Sequence, residues 1–332
     1  MKLAKNRLED LLSFLAQDKK VFVPAQIDGV GKFIAYQKNC AMDFSLQNTM
    51  LPPKDILFPQ TEKMYCFQLQ KEQIVELKEC LDEQQAVIFG IRPCDMQSII
   101  CLDDVFLSKN YCDNFYQRKR EGLLTVCLGC QQAGEYCFCD SMGLNPLNHP
   151  CADIQLNDLG ADYLVQAQTD KGQDAVALWQ DFLREGEGKI TAVECSLKVD
   201  MSDVPQKLAA MFDDPIWDRI SRKCLGCGTC TYLCPTCYCF DIDGEVKGNE
   251  GSKFRCWDSC MFSDYSRMAG GHNPRPSKKE RVRNRFLHKL QFFQERYGKN
   301  LCVGCGRCVE KCPVNLDITL FIEGLKEVPA DV

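Results

Sequence analysis

The chain has 332 residues, a net charge of −6 and 45% hydrophobic residues, which is typical of about two globular domains. The acidic balance gives no reason to expect nucleic-acid binding, and no apolar run approaches the ~20 residues of a membrane span. The 24 cysteines are unusual, because sequences of such cysteine density are normally small and secreted. The charged first residues do not resemble a signal peptide, so we expect a cytoplasmic protein of an anaerobic host whose cysteines bind metal.

The first part of the chain predicts an α/β domain over residues 1–205. Short apolar runs rich in β-branched residues predict buried strands, and segments with helical spacing lie between them. This alternation favours an open α/β sheet. In chain order, the predicted elements are helix Leu8–Ala16, strand Ala86–Ile91, helix Asp95–Val105, strand Leu123–Leu128, strand Tyr163–Ala167 and helix Asp174–Arg184.

The second part, residues 206–332, predicts a mainly α-helical two-cluster ferredoxin-like domain after a boundary in the polar segment 200–205. Apolar residues spaced by three or four predict a helix over Lys278–Tyr297. Residues 275–299 contain nine lysines and arginines but only two glutamates. This basic helix either docks an acidic partner or forms a solvated face near negatively charged clusters. The apolar positions of the helix are Val282, Phe286, Leu290, Phe293 and Tyr297.

Two segments of this second part share the C-x2-C-x2-C-x3-C-P spacing of bacterial ferredoxins, and we call them the first and second ferredoxin runs. Three thiolates two residues apart can reach three irons of one cubane, and glycines allow each loop to curl around it. In two-cluster ferredoxins the fourth cysteine of each run ligates the other cluster. We therefore assign one [4Fe–4S] cluster to Cys224, Cys227, Cys230 and Cys312, and a second to Cys302, Cys305, Cys308 and Cys234.

Structural zinc sites are the alternative interpretation of these two runs. Zinc sites usually pair two C-x2-C knuckles across a longer loop. Each run here instead supplies four cysteines followed by proline, which favours iron–sulfur clusters. Because a thiolate occupies every iron in this assignment, we expect electron transfer and not catalysis.

A third cysteine group lies at the ends of two predicted strands. Cys94 follows the first strand, and Cys130, Cys137 and Cys139 follow the second. If these strands are neighbours, their carboxyl ends bring the four thiolates together, where they could hold a third [4Fe–4S] cluster. Buried cysteines acting as small hydrophobic residues are the alternative.

Other candidate sites have weaker sequence support. Cys237, Cys239, Cys256 and Cys260 could hold a further cluster or a zinc ion, with the last two on one face if their segment is helical. The alternative is a set of thiols packed near the second ferredoxin run. Three histidines are too few for a histidine-rich site, and no G-x-G-x-x-G fingerprint predicts a Rossmann dinucleotide site.

Six segments, read together, resemble a known family. They are Leu57–Glu62, Gly90–Asp95, Cys137–Gly143, Cys234–Asp241, Trp257–Cys260 and Gly270–Arg275. In this order they resemble the family that contains the electron-transfer subunit of anaerobic sulfite reductase and the beta subunit of cytoplasmic sulfhydrogenases, over about residues 20 to 320. The resemblance implies an electron-transfer subunit whose neighbour is a flavoprotein with FAD, an NAD(P) site and a [2Fe–2S] cluster. It implies, as the other neighbour, a catalytic redox subunit of the sulfite reductase, nickel–iron hydrogenase or bifurcating transhydrogenase type.

Three functional hypotheses therefore remain open. The first is an electron relay within a multisubunit oxidoreductase. The second is a zinc-stabilised interaction or scaffold module without redox activity. The third is an enzyme with an open-iron cluster or a reactive thiol near Cys94 and Cys139.

Overall fold

The computed structural model describes residues 1–327. Twelve strands and eleven α-helices lie within that range. The strands are β1 Lys2–Ala4, β2 Lys20–Ile27, β3 Val30–Ala35, β4 Thr61–Gln70, β5 Gln73–Glu79, β6 Ala86–Ile91, β7 Leu123–Leu128, β8 Ile154–Asp158, β9 Asp162–Ala167, β10 Leu183–Arg184, β11 Phe240–Lys247 and β12 Glu250–Trp257. The α-helices are α1 Leu8–Leu15, α2 Pro93–Phe106, α3 Asn114–Glu121, α4 Asp170–Leu178, α5 Val204–Ala210, α6 Ile216–Ser221, α7 Thr229–Tyr232, α8 Lys278–Leu287, α9 Phe293–Tyr297, α10 Arg307–Glu310 and α11 Ile318–Gly324.

The larger sheet has the strand order β10-β1-β9-β8-β7-β6-β2-β3. Its central strands β2, β6, β7 and β8 are parallel, and β6 and β7 are neighbours, which is the condition for the third cysteine group to converge. Alternate residues of these strands enter two hydrophobic cores, one on each face of the sheet. Because both faces are buried, β6 and β7 are nearly continuous apolar runs, which made these two strands recognisable in the sequence.

The predicted helix Asp174–Arg184 is only partly correct. Helix α4 ends at Leu178, and Leu183 and Arg184 form β10, which pairs with β1 at the edge of the larger sheet. The helix stops before Trp179, because the Trp179 ring packs into the core whereas the preceding Leu178 faces solvent. Burial of this large side chain outweighs the local helical pattern.

The prediction of a mainly α-helical second domain is wrong. Strands β11 and β12 form a hairpin of eight residues each, which joins β4 and β5 in a second sheet of order β11-β12-β4-β5. This sheet combines strands from both sides of residue 205. The division into domains 1–205 and 206–332 stays a prediction.

The hairpin has a local physical cause. Apolar and acidic residues alternate along β11, as in a strand with two different faces. Lys247 and Glu250 are paired, so the turn consists of Gly248 and Asn249, and Gly248 has a φ of +62°. A glycine with positive φ at the first turn position is typical of the tight turns that suit a hairpin.

The predicted helix Lys278–Tyr297 is confirmed as one continuous helical segment. It begins with a capping box between Ser277 and Glu280, and it consists of α8, a π-helical turn over His288–Phe292, and α9. Its apolar face packs in a third hydrophobic core together with α5, α6 and α11. No helix within residues 1–327 has both the length and the apolar character needed to cross a bilayer.

Arg255 connects the second sheet to helix α3. Its side chain is fully buried, its Nε donates to Glu62 at 2.7 Å, and its Nη1 donates to Asp113, the N-cap of α3, at 2.7 Å. We expect Arg255→Met to lower the free energy of unfolding by about 3 kcal/mol, because the buried Asp113 loses its cation and Glu62 keeps only Lys119. Denaturant titration of the anaerobic protein measures this loss. Arg267→Met, which breaks an exposed pair with Asp264, is the control and should cost less than ~1 kcal/mol.

Candidate metal centres

The first centre is an apolar cavity lined by the thiols of Cys224, Cys227, Cys230 and Cys312. Three come from the first ferredoxin run and one from the second, which is the crossed arrangement predicted for one cluster. The rest of the wall is mainly apolar and includes Leu225, Met261, Val282, Phe286, Val314 and Leu316. Four thiols around a largely apolar cavity are a suitable donor set for a [4Fe–4S] cluster.

Hydrogen bonds in this cavity favour the thiolate form. The Gly226 N–H donates to Sγ of Cys224 at 3.3 Å, and the Leu316 N–H donates to Sγ of Cys312 at 3.2 Å. A hydrogen bond with the Thr229 hydroxyl lowers the pKa of Cys227. Such hydrogen bonds stabilise negative charge on sulfur, and they are one of the factors that set cluster potentials.

The second group contains Cys302, Cys305, Cys308 and Cys234. Burial raises the pKa of Cys302 to about 12, and the neighbouring Cys308 and Cys234 thiolates add to the effect. Burial likewise raises the pKa of Cys308, which also lies near Cys234. The structure thus brings together the four cysteines predicted for the second cluster. Without a metal, buried thiols so close to one another would stay protonated. A bound metal ion deprotonates them.

The third group surrounds a separate cavity at the carboxyl ends of β6 and β7. Cys94, Cys130, Cys137 and Cys139 all line it, so the predicted convergence of these four residues is observed. Cys305 of the second ferredoxin run also lines this cavity. Cys127, in contrast, is fully buried on β7 within the hydrophobic core and does not line it.

The Arg-Pro-Cys-Asp segment positions this third group. Arg92 donates to the carbonyls of Leu128 and Gly129, where β7 ends, and Pro93 starts helix α2. Asp95 forms a bidentate pair with Arg307 of the second ferredoxin run, with nitrogen–oxygen distances of 2.6 and 2.8 Å. This pair is buried, with 3% of Arg307 and 1% of Asp95 exposed. It links the third group directly to the second.

Two glycines bring the loop around Cys137 and Cys139 against the second ferredoxin run. Gly304 and Gly306 have positive φ values of +63° and +76°, and the Gly304 carbonyl accepts the Phe138 N–H at 2.8 Å. A Cβ atom on Gly304 would lie 2.6 Å from the backbone of Cys139. No side chain fits there, so the close contact requires glycine.

Replacing Gly304 by Ala tests this contact. We expect a loss of about 2 kcal/mol or more in unfolding free energy, because left-handed strain and a backbone clash act together. We also expect iron loss from the third group. Gly298→Ala is the matched control, since Gly298 has a φ of +73° but open space around it. Equal losses in the two variants, measured by denaturation and iron content, would contradict the proposed contact.

Cys195 is a candidate functional residue that the sequence did not reveal. It is buried, and its Sγ lies 3.7 Å from Sγ of Cys139. Its N–H donates to Asp140, which also pairs with Lys198. Cys195 lies in a segment without regular structure and belongs to no spaced motif, so only the tertiary structure shows that it is near the third group.

The fourth candidate quartet does not form one group of contacts. The Cys234 thiol of the second group raises the pKa of its neighbour Cys237, whereas the Cys260 thiol lowers the pKa of its neighbour Cys239. Cys256 lies on strand β12 between Asp241 and Thr61, so it shares no helix face with Cys260. No three or more Cys, His, Asp or Glu side chains in the described part of the chain are arranged to hold a single metal ion. A ligand role for this quartet stays a prediction.

The basic helix has buried cations, which neither interpretation of its charge predicted. Arg281, Arg285 and Lys289 recur at intervals of four, and all three side chains are buried. Arg285 lines the first cavity, and Lys289 donates to Thr236, which lies between Cys234 and Cys237. Two of these three buried cations, Arg285 and Lys289, therefore lie beside the cysteines and not in solvent.

Comparison with known proteins agrees with the assignment of iron–sulfur clusters to the two ferredoxin runs. The profile of a 4Fe-4S dicluster domain matches residues 223–316, which contain both ferredoxin runs. Over 341 aligned residues the chain is 31% identical to Sulfhydrogenase 2 subunit beta of Pyrococcus furiosus, and the alignment covers 98% of each chain. The chain belongs to the sulfhydrogenase beta subunit family. No solved structure matches it.

Membership of the sulfhydrogenase beta subunit family confirms the resemblance drawn from the sequence. It makes the chain an iron–sulfur electron-transfer protein with [4Fe–4S] clusters. The number of clusters and the ligands of each are the subject of the proposal below.

Proposed function

We propose that the chain relays single electrons through three [4Fe–4S] clusters, between a flavoprotein and a catalytic redox subunit. The ligand sets are Cys224, Cys227, Cys230 and Cys312 for the first cluster, Cys302, Cys305, Cys308 and Cys234 for the second, and Cys94, Cys130, Cys137 and Cys139 for the third. The observation that carries the proposal is the first cavity, because four cysteines from two distant runs line it together.

The side chains of the first cavity have distinct roles in such a relay. When bound, the cluster supplies a centre that accepts and releases one electron at a time. Leu316 and Gly226 donate N–H groups to the sulfur atoms, and the apolar wall excludes water. A rigid cavity without water reduces the rearrangement of surrounding dipoles that accompanies each change in the charge of the cluster.

Contacts between the three cysteine groups support a linear order of the three proposed clusters. Cys305 belongs to the second group and lines the third cavity, which makes these two groups neighbours. Cys230 of the first group lies near Cys308 and Cys234 of the second. The second cluster would therefore lie between the other two. Cys227 is exposed beside Leu225, and Tyr136 is exposed beside Cys137, so each end of the order reaches the surface.

Family membership supports the presence of partner subunits. The Pyrococcus furiosus relative is named as a beta subunit of a sulfhydrogenase, which supports membership of a multisubunit complex for this chain. We propose a subunit with FAD, an NAD(P) site and a [2Fe–2S] cluster at one end. At the other end we propose a catalytic subunit of the sulfite reductase, nickel–iron hydrogenase or bifurcating transhydrogenase type.

Anaerobic purification of the native complex through a tag on this chain tests the relay. We expect a flavin-containing subunit to co-purify, and NADH or NADPH to bleach the cluster absorbance. A matched preparation with Cys227→Ala should keep the flavoprotein but lose reduction of the first cluster. A flavin-free preparation whose clusters neither nucleotide reduces would contradict the proposed partner.

A further inference from the structure

Arg285 is a buried cation without a hydrogen-bonded or ionic partner in the part of the chain that the structure describes. Only 4% of the residue is exposed, it forms no ion pair with any carboxylate in residues 1–327, and its Nε has no hydrogen-bond acceptor there. Its guanidinium lines the first cavity together with the four cysteines. Taking a charge out of water without compensation is strongly unfavourable, so a negative group is needed at this position.

Lys289 repeats the pattern beside the second group. It is 3% exposed, and its Nζ donates one hydrogen bond, to Oγ1 of Thr236 at 2.9 Å. No carboxylate pairs with it in the part of the chain that the structure describes. Lys289 is in the π-helical turn, four residues after Arg285, and such turns are frequent at functional sites.

The other buried cations near the centres have protein partners. Arg307 is paired with Asp95 through two hydrogen bonds. Lys54 donates to the Cys237 carbonyl at 2.9 Å, and its Nζ lies 4.0 Å from the centre of the Trp257 ring. Arg285 and Lys289 differ from both, because within residues 1–327 neither pairs with a carboxylate or donates to a backbone carbonyl.

Cysteine thiols of the proposed cluster ligand sets lie near both cations. Arg285 is close to Cys230 and Cys308, and it lines the same cavity as Cys230. Lys289 is close to Cys234 and Cys237, and it donates to Thr236, which lies between these two cysteines in the sequence. Each cation therefore lies next to one of the two proposed ferredoxin-run clusters.

We propose that Arg285 and Lys289 are the counter-cations of these two clusters and raise their reduction potentials. This inference rests on the ligand sets proposed above. A [4Fe–4S] cluster with four thiolates has a net negative charge, which grows by one unit on reduction. A fixed cation nearby therefore stabilises the reduced form more than the oxidised form, and burial weakens the screening of this interaction. Both residues act through the clusters and are positioning residues, not ligands.

A redox titration of the cluster-loaded full chain, followed by EPR, tests the proposal. Arg285→Gln should lower the ratio of reduced to oxidised first cluster about tenfold at a fixed applied potential, a shift of 59 mV to more negative potential for one electron. Arg285→Lys keeps the charge and should restore most of the potential. Lys289→Gln should produce the same negative shift in the second cluster.

Arg281→Gln is the matched control. Arg281 is a buried arginine one helical turn earlier, but its Nη1 donates to the carbonyls of Arg275 and Pro276. We expect its removal to leave both potentials unchanged. Equal shifts in Arg281→Gln and Arg285→Gln would indicate a general effect of helix charge and overturn the proposal.

Iron and sulfide content separates the possible outcomes. Normal cluster content with unchanged potentials in Arg285→Gln and Lys289→Gln would overturn the proposal. Loss of iron in Arg285→Gln but not in Arg285→Lys would support it, because the cluster then requires the charge. Wild-type protein without cluster signals would instead contradict the proposed function, so the two claims fail in different measurements.

Discussion

Replacing Cys312 by Ala will remove the cluster of the first ferredoxin run, although Cys312 itself belongs to the second. The reason is geometric, because Cys312 lines the cavity of Cys224, Cys227 and Cys230. An iron without its fourth thiolate is exposed at the cavity wall, and we expect the cubane to be lost or degraded. Iron content should fall by up to about four atoms per chain, and one set of EPR signals from the reduced protein should disappear.

The reciprocal variant makes this prediction specific. Cys234→Ala should remove the cluster of Cys302, Cys305 and Cys308 and leave the first cluster intact. Cys112→Ala is the control, since Cys112 is exposed and hydrogen-bonded only to Gln117. If Cys312→Ala removed the same EPR signals as Cys302→Ala and spared those lost in Cys227→Ala, the crossed ligand assignment would be wrong.

Replacing Arg307 by Ala will strongly destabilise the protein. The buried Asp95 carboxylate would lose both hydrogen bonds of its bidentate pair, which costs about 3–5 kcal/mol in unfolding free energy. Because this pair joins helix α2 to the second ferredoxin run, the third cluster should be lost as well. The first cavity contains neither residue, so the EPR signals of the first cluster should persist. Denaturant titration and EPR under anaerobic conditions measure the two effects.

A double variant separates pairing from packing at this position. Arg307→Met combined with Asp95→Leu removes both charges and should regain much of the lost stability. Arg296→Ala, which removes an exposed arginine, should change stability by less than ~0.5 kcal/mol. If the losses of the single variants Arg307→Met and Asp95→Leu simply added in the double variant, the pair would not be coupled and this explanation would be wrong.

The sequence predicted the parts whose signal is local. Strands β6 and β7 were predicted with their observed bounds, because a strand buried on both faces is an uninterrupted apolar run bounded by breakers. The spacing of the cysteines in each ferredoxin run is likewise local, because all four cysteines and the proline lie within twelve residues. The convergence of Cys94 with Cys130, Cys137 and Cys139 followed from one topological rule, that parallel strands end at the same edge of the sheet.

The missed parts depend on tertiary contacts. Strand β11 has largely exposed side chains, so no buried apolar face marked the hairpin, although the alternation along β11 and the Gly248–Asn249 turn were visible. Cys195 approaches Cys139 across 56 residues without any spacing pattern. The helix 278–297 was predicted from its apolar face, but composition alone could not show that Arg285 and Lys289 point inward. Their spacing of four residues was the one sequence signal that placed both on the same face of the helix.

Metal analysis of the anaerobic protein is the most direct test of the whole account. Iron, acid-labile sulfide and zinc should be measured per chain, together with EPR before and after reduction by dithionite. Three cubanes predict about twelve irons, an equal amount of sulfide and signals that appear on one-electron reduction. A colourless protein with zinc as its sole metal and no response to the reductant would contradict it.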